Sequence, residues 1–224
     1  MDVFEAVNSR IACRWFLDTP VDPDIVRTLI ADAARAPSNG NMQPWNVYAL
    51  TGEPLKEIKR QAVAAIEQKD WQTFETEFSA FPDTLWEPYL GRRFHHGVQL
   101  YEALGTTRED RAGRLEQLKR SYQFFNAPVG LFITIDRGLG PAQWADLGGY
   151  VNALAFLARG HGLDTCPQVS WIRMHRIVGA ALNFPPDQML YCGMAIGYGD
   201  RSHPVNSFRS PRAELHEFCR FYGF

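Results

Sequence analysis

A chain of 224 residues, 46% of them hydrophobic, is long enough to form one domain with a full core, and its composition is neither disordered nor fibrous. Its formal net charge of −2 offers no basic field for nucleic acid or an anionic membrane, so neither partner is expected and small-molecule chemistry is favoured. No apolar run approaches the roughly 20 residues needed to cross a bilayer, and Met1 to Arg10 has no cationic start followed by an apolar stretch; the expected location is the cytoplasm.

Asp2 to Ser9 reads as a short helix ending at the basic cluster Arg10 to Arg14. Asp22 to Arg35 carries the clearest helical pattern, with Asp22 as N-cap, Pro23 at the first position and Ile25, Val26, Leu29, Ile30, Ala33 and Ala34 on one face. Ala36 to Trp45 follows as a stiff polar connection, A-P-S-N-G-N-M-Q-P-W. Its prolines limit loop entropy, and Asn41 and Gln43 each offer a donor and an acceptor to the edge of a planar heterocycle. Asn46 to Leu50 is an expected strand and Glu53 to Lys69 an expected helix. Asp70 to Leu90 loses the period and gains Trp71, Phe74, Phe78, Phe81, Trp86 and Tyr89, as an aromatic insertion beside a pocket or as ordinary core filling. Helical patterns run over Arg93 to Leu104 and Arg108 to Phe124, and Val129 to Ile135 is an apolar run of strand length. Gln143 to His161 is a long helix whose Gly148, Gly149, Ala153 and Ala155 allow close approach, within the core or across a subunit interface. Met174 to Leu182 reads as a helix and Met189 to Tyr198 as a buried strand. No repeat or linker divides the chain, so one domain is expected over 1–224. The absence of regular β-α-β alternation argues for an α+β fold.

Several chemistries are excluded by pattern. Gly197 and Gly199 follow a strand, but Ser202 takes the third glycine position and Pro204 disfavours a helix opening there, so no dinucleotide fingerprint is present, nor is a phosphate-binding P-loop. Cys13, Cys166, Cys192 and Cys219 form no C-x-x-C pair and read as buried free thiols, and the six histidines suggest no metal site. Cys166 lies near His161 and His175 in sequence but lacks nucleophile-elbow glycines. Arg10 with Arg14, four apart, and Arg209 with Arg212, three apart, are either surface charges or a phosphate site, since guanidinium donates bidentate, charge-assisted hydrogen bonds.

Taken together, Arg10, Arg14, Phe16, Pro20 and Val21, then Ala36, Pro37, Ser38, Asn41, Gln43, Pro44 and Trp45, resemble the FMN-dependent nitroreductase family. The resemblance continues through Phe125, Ala127, Pro128 and Val129, through Gly162 to Gln168 and Cys192 to Asp200, and ends at Phe208 to Arg212, collinear over nearly the whole chain. It implies a homodimer with FMN between subunits, in an α+β fold with a central mixed sheet flanked by helices and a C-terminal extension wrapping the partner. By similarity, Arg10, Ile11, Ala12 and Arg14 hold the ribityl phosphate, and Arg209 and Arg212 complete its charge balance. Pro37, Ser38 and Asn41 approach the isoalloxazine of the other subunit, Gln43 lies near its pyrimidine or ribityl portion, and Pro167, Gln168, Val169 and Ser170 pass flavin N5. No protein side chain is then catalytic. The implied activity takes hydride from NADH or NADPH onto N5 and reduces nitroaromatic or quinone-type acceptors in ping-pong fashion, with Trp71 to Tyr89 at the pocket mouth. An FMN-dependent dehalogenase or oxidase of the same fold, or a flavin-binding protein without turnover, is the alternative. Ala12 replaces a serine often found in the family, and Val169 an acidic residue found in some members.

Overall fold

The computed structural model describes residues 1–68, 73–107 and 109–224. A four-stranded sheet forms its centre: β1 (Asn46–Leu50), β2 (Val129–Asp136), β3 (Asp164–Gln168) and β4 (Gln188–Gly197), in the order β1-β2-β4-β3. Every neighbouring pair is antiparallel, which corrects the expected mixed sheet. β2 and β3 do run in the same direction, but β4 inserts between them and becomes the antiparallel neighbour of both. Parallel pairing among the described residues is confined to one isolated bridge, Ala12 to Thr165.

Apolar residues on both faces of β2 and β4 require cover on both sides. Leu131, Ile133 and Ile135, with Cys192, Met194 and Ile196, pack under α2 (Pro23–Ala33) and α6 (Pro141–Gly160). On the other face Phe132, Leu190 and Ala195 pack with α3 (Gly52–Gln68), α7 (His175–Leu182) and Trp171. Trp171 lies directly on the β4 backbone: a side chain at Gly193 would start 2.4 Å from the Trp171 ring.

The helices follow the sequence pattern closely. Asp22 caps α2 by accepting the Asp24 N–H at 2.9 Å, and Pro23 opens it. It ends at Ala33, two residues before the expected Arg35, because Ala34, Arg35 and Ala36 donate to carbonyls three residues back, a tighter winding that turns the chain into the polar loop. The remaining helices are α1 (Val3–Ser9), α4 (Tyr89–Ala103), α5 (Arg111–Ser121), α8 (Pro204–Ser207) and α9 (Leu215–Phe218). The helix expected to reach Phe124 stops at Ser121, since Phe124, Phe125 and Asn126 adopt positive φ of 53°, 54° and 67°. Likewise, a 3-10 turn, Val169–Met174, takes up the start of the helix expected from Met174. Lys69, Asp70, Trp71 and Arg108 lie outside the described residues.

The aromatic segment divides. Phe78 meets Trp144 edge-on at 4.8 Å and joins the core, whereas Phe81, Trp86 and Tyr89 stay exposed near α4. Cys13, Cys166 and Cys192 are buried free thiols and Cys219 is half-exposed. Among the described residues no helix is long and apolar enough to cross a membrane, and no cluster of three His, Cys, Asp or Glu side chains offers a metal site.

Lys59 of α3 fastens the positive-φ turn. Its ammonium donates to the Ala127 carbonyl at 2.9 Å above the Phe124 ring, and burial pushes its pKa down to about 8. The unfolded chain keeps that proton to about pH 10.4, so this group makes the protein more stable as pH rises from about 8 towards 10. Lys59→Met should flatten the rise in melting temperature between pH 8 and 9.5; an identical pH profile would contradict the assignment.

Candidate functional site

Residues 10–17 belong to no helix or strand and are held by long-range bonds to the far end of the chain. Cys13 N–H donates to the Thr165 carbonyl at 2.9 Å, and Leu17 N–H to that of Tyr198 at 2.8 Å. Asn206, 3% exposed, completes the connection: its Oδ1 accepts the Arg14 N–H at 2.8 Å, while Nδ2 donates to the carbonyls of Trp15 at 2.7 Å and Asp200 at 2.8 Å. Trp15 stacks on His203 with ring centroids 3.9 Å apart and lies 3.6 Å from the Arg120 guanidinium. Sequence reasoning missed Asn206. Its only signal was a position between the matched segments 192–200 and 208–212, which says nothing about a side chain bonded some 190 residues upstream.

This connection places Arg14 beside β3 and brings the two arginine pairs together. Arg209 Nη1 donates to the carbonyls of Arg10 at 3.1 Å and Asn8 at 3.3 Å, at the C-terminal end of α1. Arg14 donates to the Ala12 carbonyl at 3.2 Å, and Arg212 to the carbonyls of Ser210 and Pro211. Among the described residues none of these four guanidiniums has a carboxylate partner. Burial depresses the Arg10 pKa, and the charges of Arg212 and Arg209 depress it further. His96 of α4, 3.0 Å from Ser210 Oγ, is held below its ordinary value by burial and by Arg14 and Arg212, so it is neutral at pH 7. The cluster is therefore an uncompensated positive centre, suited to a phosphate.

A cleft of about 850 Å³ opens from Arg14 along Pro167, Gln168 and Ser170, with α4 and α5 as the facing wall. Gln168 is buried; its Nε2 donates to the Ser121 carbonyl at 2.6 Å, which leaves Oε1 buried without a partner at the cleft wall. Val169 and Ser170 open the 3-10 turn, whose first N–H groups find no acceptor within it. Ile11 points into the core, so only its main chain faces the site; Ala12 pairs with Thr165. Cys166 at the floor is a neutral thiol, pushed up by burial against the opposing pull of Arg14 and Arg10, and its sequence neighbour His175 bonds to the Ile172 carbonyl, so no nucleophile pair forms.

The polar loop is elsewhere. Asn39 N–H donates to Asp146 Oδ2 of α6 at 3.0 Å, and Ser38 Oγ accepts the Gln43 N–H at 3.0 Å. Trp45 stacks on Tyr150 at 4.8 Å, and Asn41 and Gln43 adopt positive φ of 56° and 50°. Pro37, Asn41 and Gln43 are exposed, and no residue of 37–43 lines the cleft at Arg14. The fold thus unites Arg10, Arg14, 167–170, Arg209 and Arg212, and separates them from Pro37, Ser38, Asn41 and Gln43.

The model of the family described as Nitroreductase family matches residues 7–198. The chain belongs to that family. A chloronitrobenzene nitroreductase of Comamonas testosteroni is 39% identical over 97% of this chain and 95% of its own length. A 4-nitrobenzoate reductase of Pseudomonas putida is 38% identical over 100% and 97%. The crystal structure of the FMN and NADPH-dependent nitroreductase NfnB from Sphigopyxis sp. strain HMH superposes over the whole of both chains with a TM-score of 0.96 at 39% identity. This nitroreductase therefore has the α+β nitroreductase-like fold, and its paired glycines at 197 and 199 serve packing. A side chain at Gly199 would start 2.5 Å from Asp164 Oδ2 and 2.8 Å from Cys13 Sγ.

Asn206→Ala leaves the Arg14 N–H unpaired and takes one donor from the Trp15 and Asp200 carbonyls, which keep the N–H groups of Asp200 and His203, and should cost about 2 kcal/mol in urea unfolding. It should also weaken FMN binding at least several-fold, with Asn206→Asp intermediate because it keeps only the acceptor for Arg14. Wild-type affinity in the alanine variant would remove Asn206 from the support of the site.

Proposed function

We infer that the chain is an FMN-dependent reductase that draws on NADPH or NADH and reduces nitroaromatic acceptors. The observation that carries this reading is the cluster of Arg10, Arg14, Arg209 and Arg212, with no carboxylate partner among the described residues, at the head of a cleft walled by Pro167 to Ser170. That donor set fits a flavin mononucleotide: the guanidiniums and the main chain of Ile11 and Ala12 take the phosphate, and the unpartnered Gln168 Oε1 is an acceptor for a ring N–H. When bound, FMN supplies the redox chemistry, taking hydride from the nicotinamide and passing it on to the acceptor. The chain itself binds and orients. The N–H groups of Val169 and Ser170, the first of the 3-10 turn, would be the donors for the ring, Cys166 stays a neutral thiol, and α4 and α5 narrow the access of water. NADPH is the expected donor, since NfnB is NADPH-dependent, and the nitroarenes reduced by the two named relatives define the acceptor class.

The site is composite and the working unit is a homodimer. The exposed loop carrying Pro37, Ser38, Asn41 and Gln43 supports this, because it is rigidly anchored yet remote from its own chain's cleft. Gly149 on α6 leaves open space where a side chain would be, and Phe218, Phe221, Tyr222 and Phe224 of the tail are exposed, surfaces that a second copy covers.

The purified protein should be yellow, and anaerobic NADPH alone should bleach it. Initial rates against nitrobenzene should give parallel double-reciprocal lines; bleaching by an organic substrate only would point to an oxidase, and bleaching without turnover to a flavin carrier. Arg10→Ala and Asn41→Ala homodimers should each lose flavin. Mixed dimers should recover it in one of their two sites, since one composite site then receives both native residues; no recovery would place both residues in a single-chain site.

A further inference from the structure

Ser210 lies between the two tail arginines and carries the one hydroxyl in the segments 10–14 and 208–212. Its Oγ is 3.0 Å from Nδ1 of His96 on α4. α4 buries none of its residues, so His96 is not a packing histidine of the core. The groups facing its ring come from both ends of the chain: Arg14 from residues 10–17, Arg212 and Ser210 from the tail, and Phe208, whose ring centroid is 5.4 Å away. α8, which packs on α4, has no ionisable side chain. Along α4 itself, Arg92 takes Glu217 of α9 at 3.2 Å, Arg93 lies on the Phe81 ring and His95 bonds to the Gly91 carbonyl. The charges acting on His96 are therefore both positive, and both belong to the arginine cluster.

A neutral imidazole can accept a hydroxyl hydrogen at Nδ1, whereas an imidazolium carries a hydrogen on both nitrogens and only donates. Addition of a proton from solvent to His96 therefore turns its contact with Ser210 into a bond donated by the ring, and frees the hydroxyl hydrogen for another acceptor. An arriving phosphate supplies both the cause and the acceptor. Its charge offsets that of Arg14 and Arg212, which together with burial hold His96 below its ordinary value, and its oxygens take the hydroxyl hydrogen. We propose that Ser210 and His96 complete the phosphate site, the Ser210 hydroxyl donating to the anion while His96, protonated as the anion binds, donates to Ser210 Oγ. The proposal rests on the reading of the arginine cluster as the seat of the FMN phosphate. FMN then binds with uptake of a proton, and the pair distinguishes it from riboflavin, which has no phosphate.

Equilibrium dialysis of the full chain against FMN or riboflavin, from pH 7 to 8.5, tests the pair. The phosphate is already dianionic over that range, so a pH dependence there reports the protein. The wild-type Kd for FMN should rise at least about threefold between pH 7 and 8.5, because the proton bound with the flavin becomes scarcer, while the Kd for riboflavin stays level. His96→Gln keeps a polar side chain that cannot be protonated, and should flatten the FMN profile. Ser210→Ala should weaken FMN at pH 7 at least about threefold with riboflavin unaffected, and Ser210→Thr should restore it. An FMN profile in His96→Gln as steep as in wild type, or full FMN affinity in Ser210→Ala, overturns the proposal. Equal Kd values for FMN and riboflavin in wild type would instead remove the phosphate from the arginine cluster, and the role of the pair with it.

Discussion

One buried amide holds the two ends of this chain in register. Asn206 accepts from Arg14 and donates to Trp15 and Asp200, so residues 10–17, which have no secondary structure of their own, acquire a fixed path across the edge of the sheet. Each contact is an ordinary hydrogen bond, worth about 1 kcal/mol net. Their value lies in geometry, since the same three bonds fix the direction in which Arg14 leaves the main chain. Stacking of Trp15 on His203 stiffens the same joint from the side-chain direction.

The fold treats its arginines in two different ways. Arg159 and Arg201 both engage Asp164, whose side chain is 3% exposed, with Arg159 at 3.1 Å; Arg159 also holds Ser9 Oγ at 3.2 Å. There charge is neutralised within the protein, and removal of the carboxylate would strand the buried Arg159 cation at a cost of about 3 kcal/mol, while Arg201 keeps its water. Arg14, Arg209 and Arg212 instead donate to main-chain carbonyls, which orient a guanidinium without cancelling its charge. Such wiring keeps the cluster positively charged, and the pKa values of Arg10 and His96, lowered first by burial, are lowered further by the neighbouring guanidiniums.

Much of this was legible in the sequence where the cause is local. The α2 period with Asp22 and Pro23, the β1 boundaries and the apolar run of β2 follow from propensity and patterning alone. β3 was not recognised as a strand, because D-T-C-P-Q is poor strand composition; it is tolerated because β3 is an edge strand, where Pro167 breaks no interior ladder. Antiparallel pairing throughout was hidden for a related reason: the insertion of β4 between β2 and β3 is a property of the whole topology. The two arginine pairs were visible as pairs, but their convergence depends on Asn206, Thr165 and Tyr198, whose bonds span most of the chain. Arg111 and Arg114 of α5 read in the sequence as any solvated helix face, and only the fold sets them, with Tyr101 of α4, along the cleft that faces Pro167 and Gln168.

The edge position of β3 has a second consequence. A terminal strand offers an unpaired row of N–H and C=O groups on which another chain can polymerise. Here that row is partly closed by the segment between Arg10 and Arg14, through the Ala12 to Thr165 bridge and the Cys13 N–H. Whatever loosens residues 10–14 therefore also uncovers a sticky edge, so the segment that carries Arg10 and Arg14 guards the sheet against self-association.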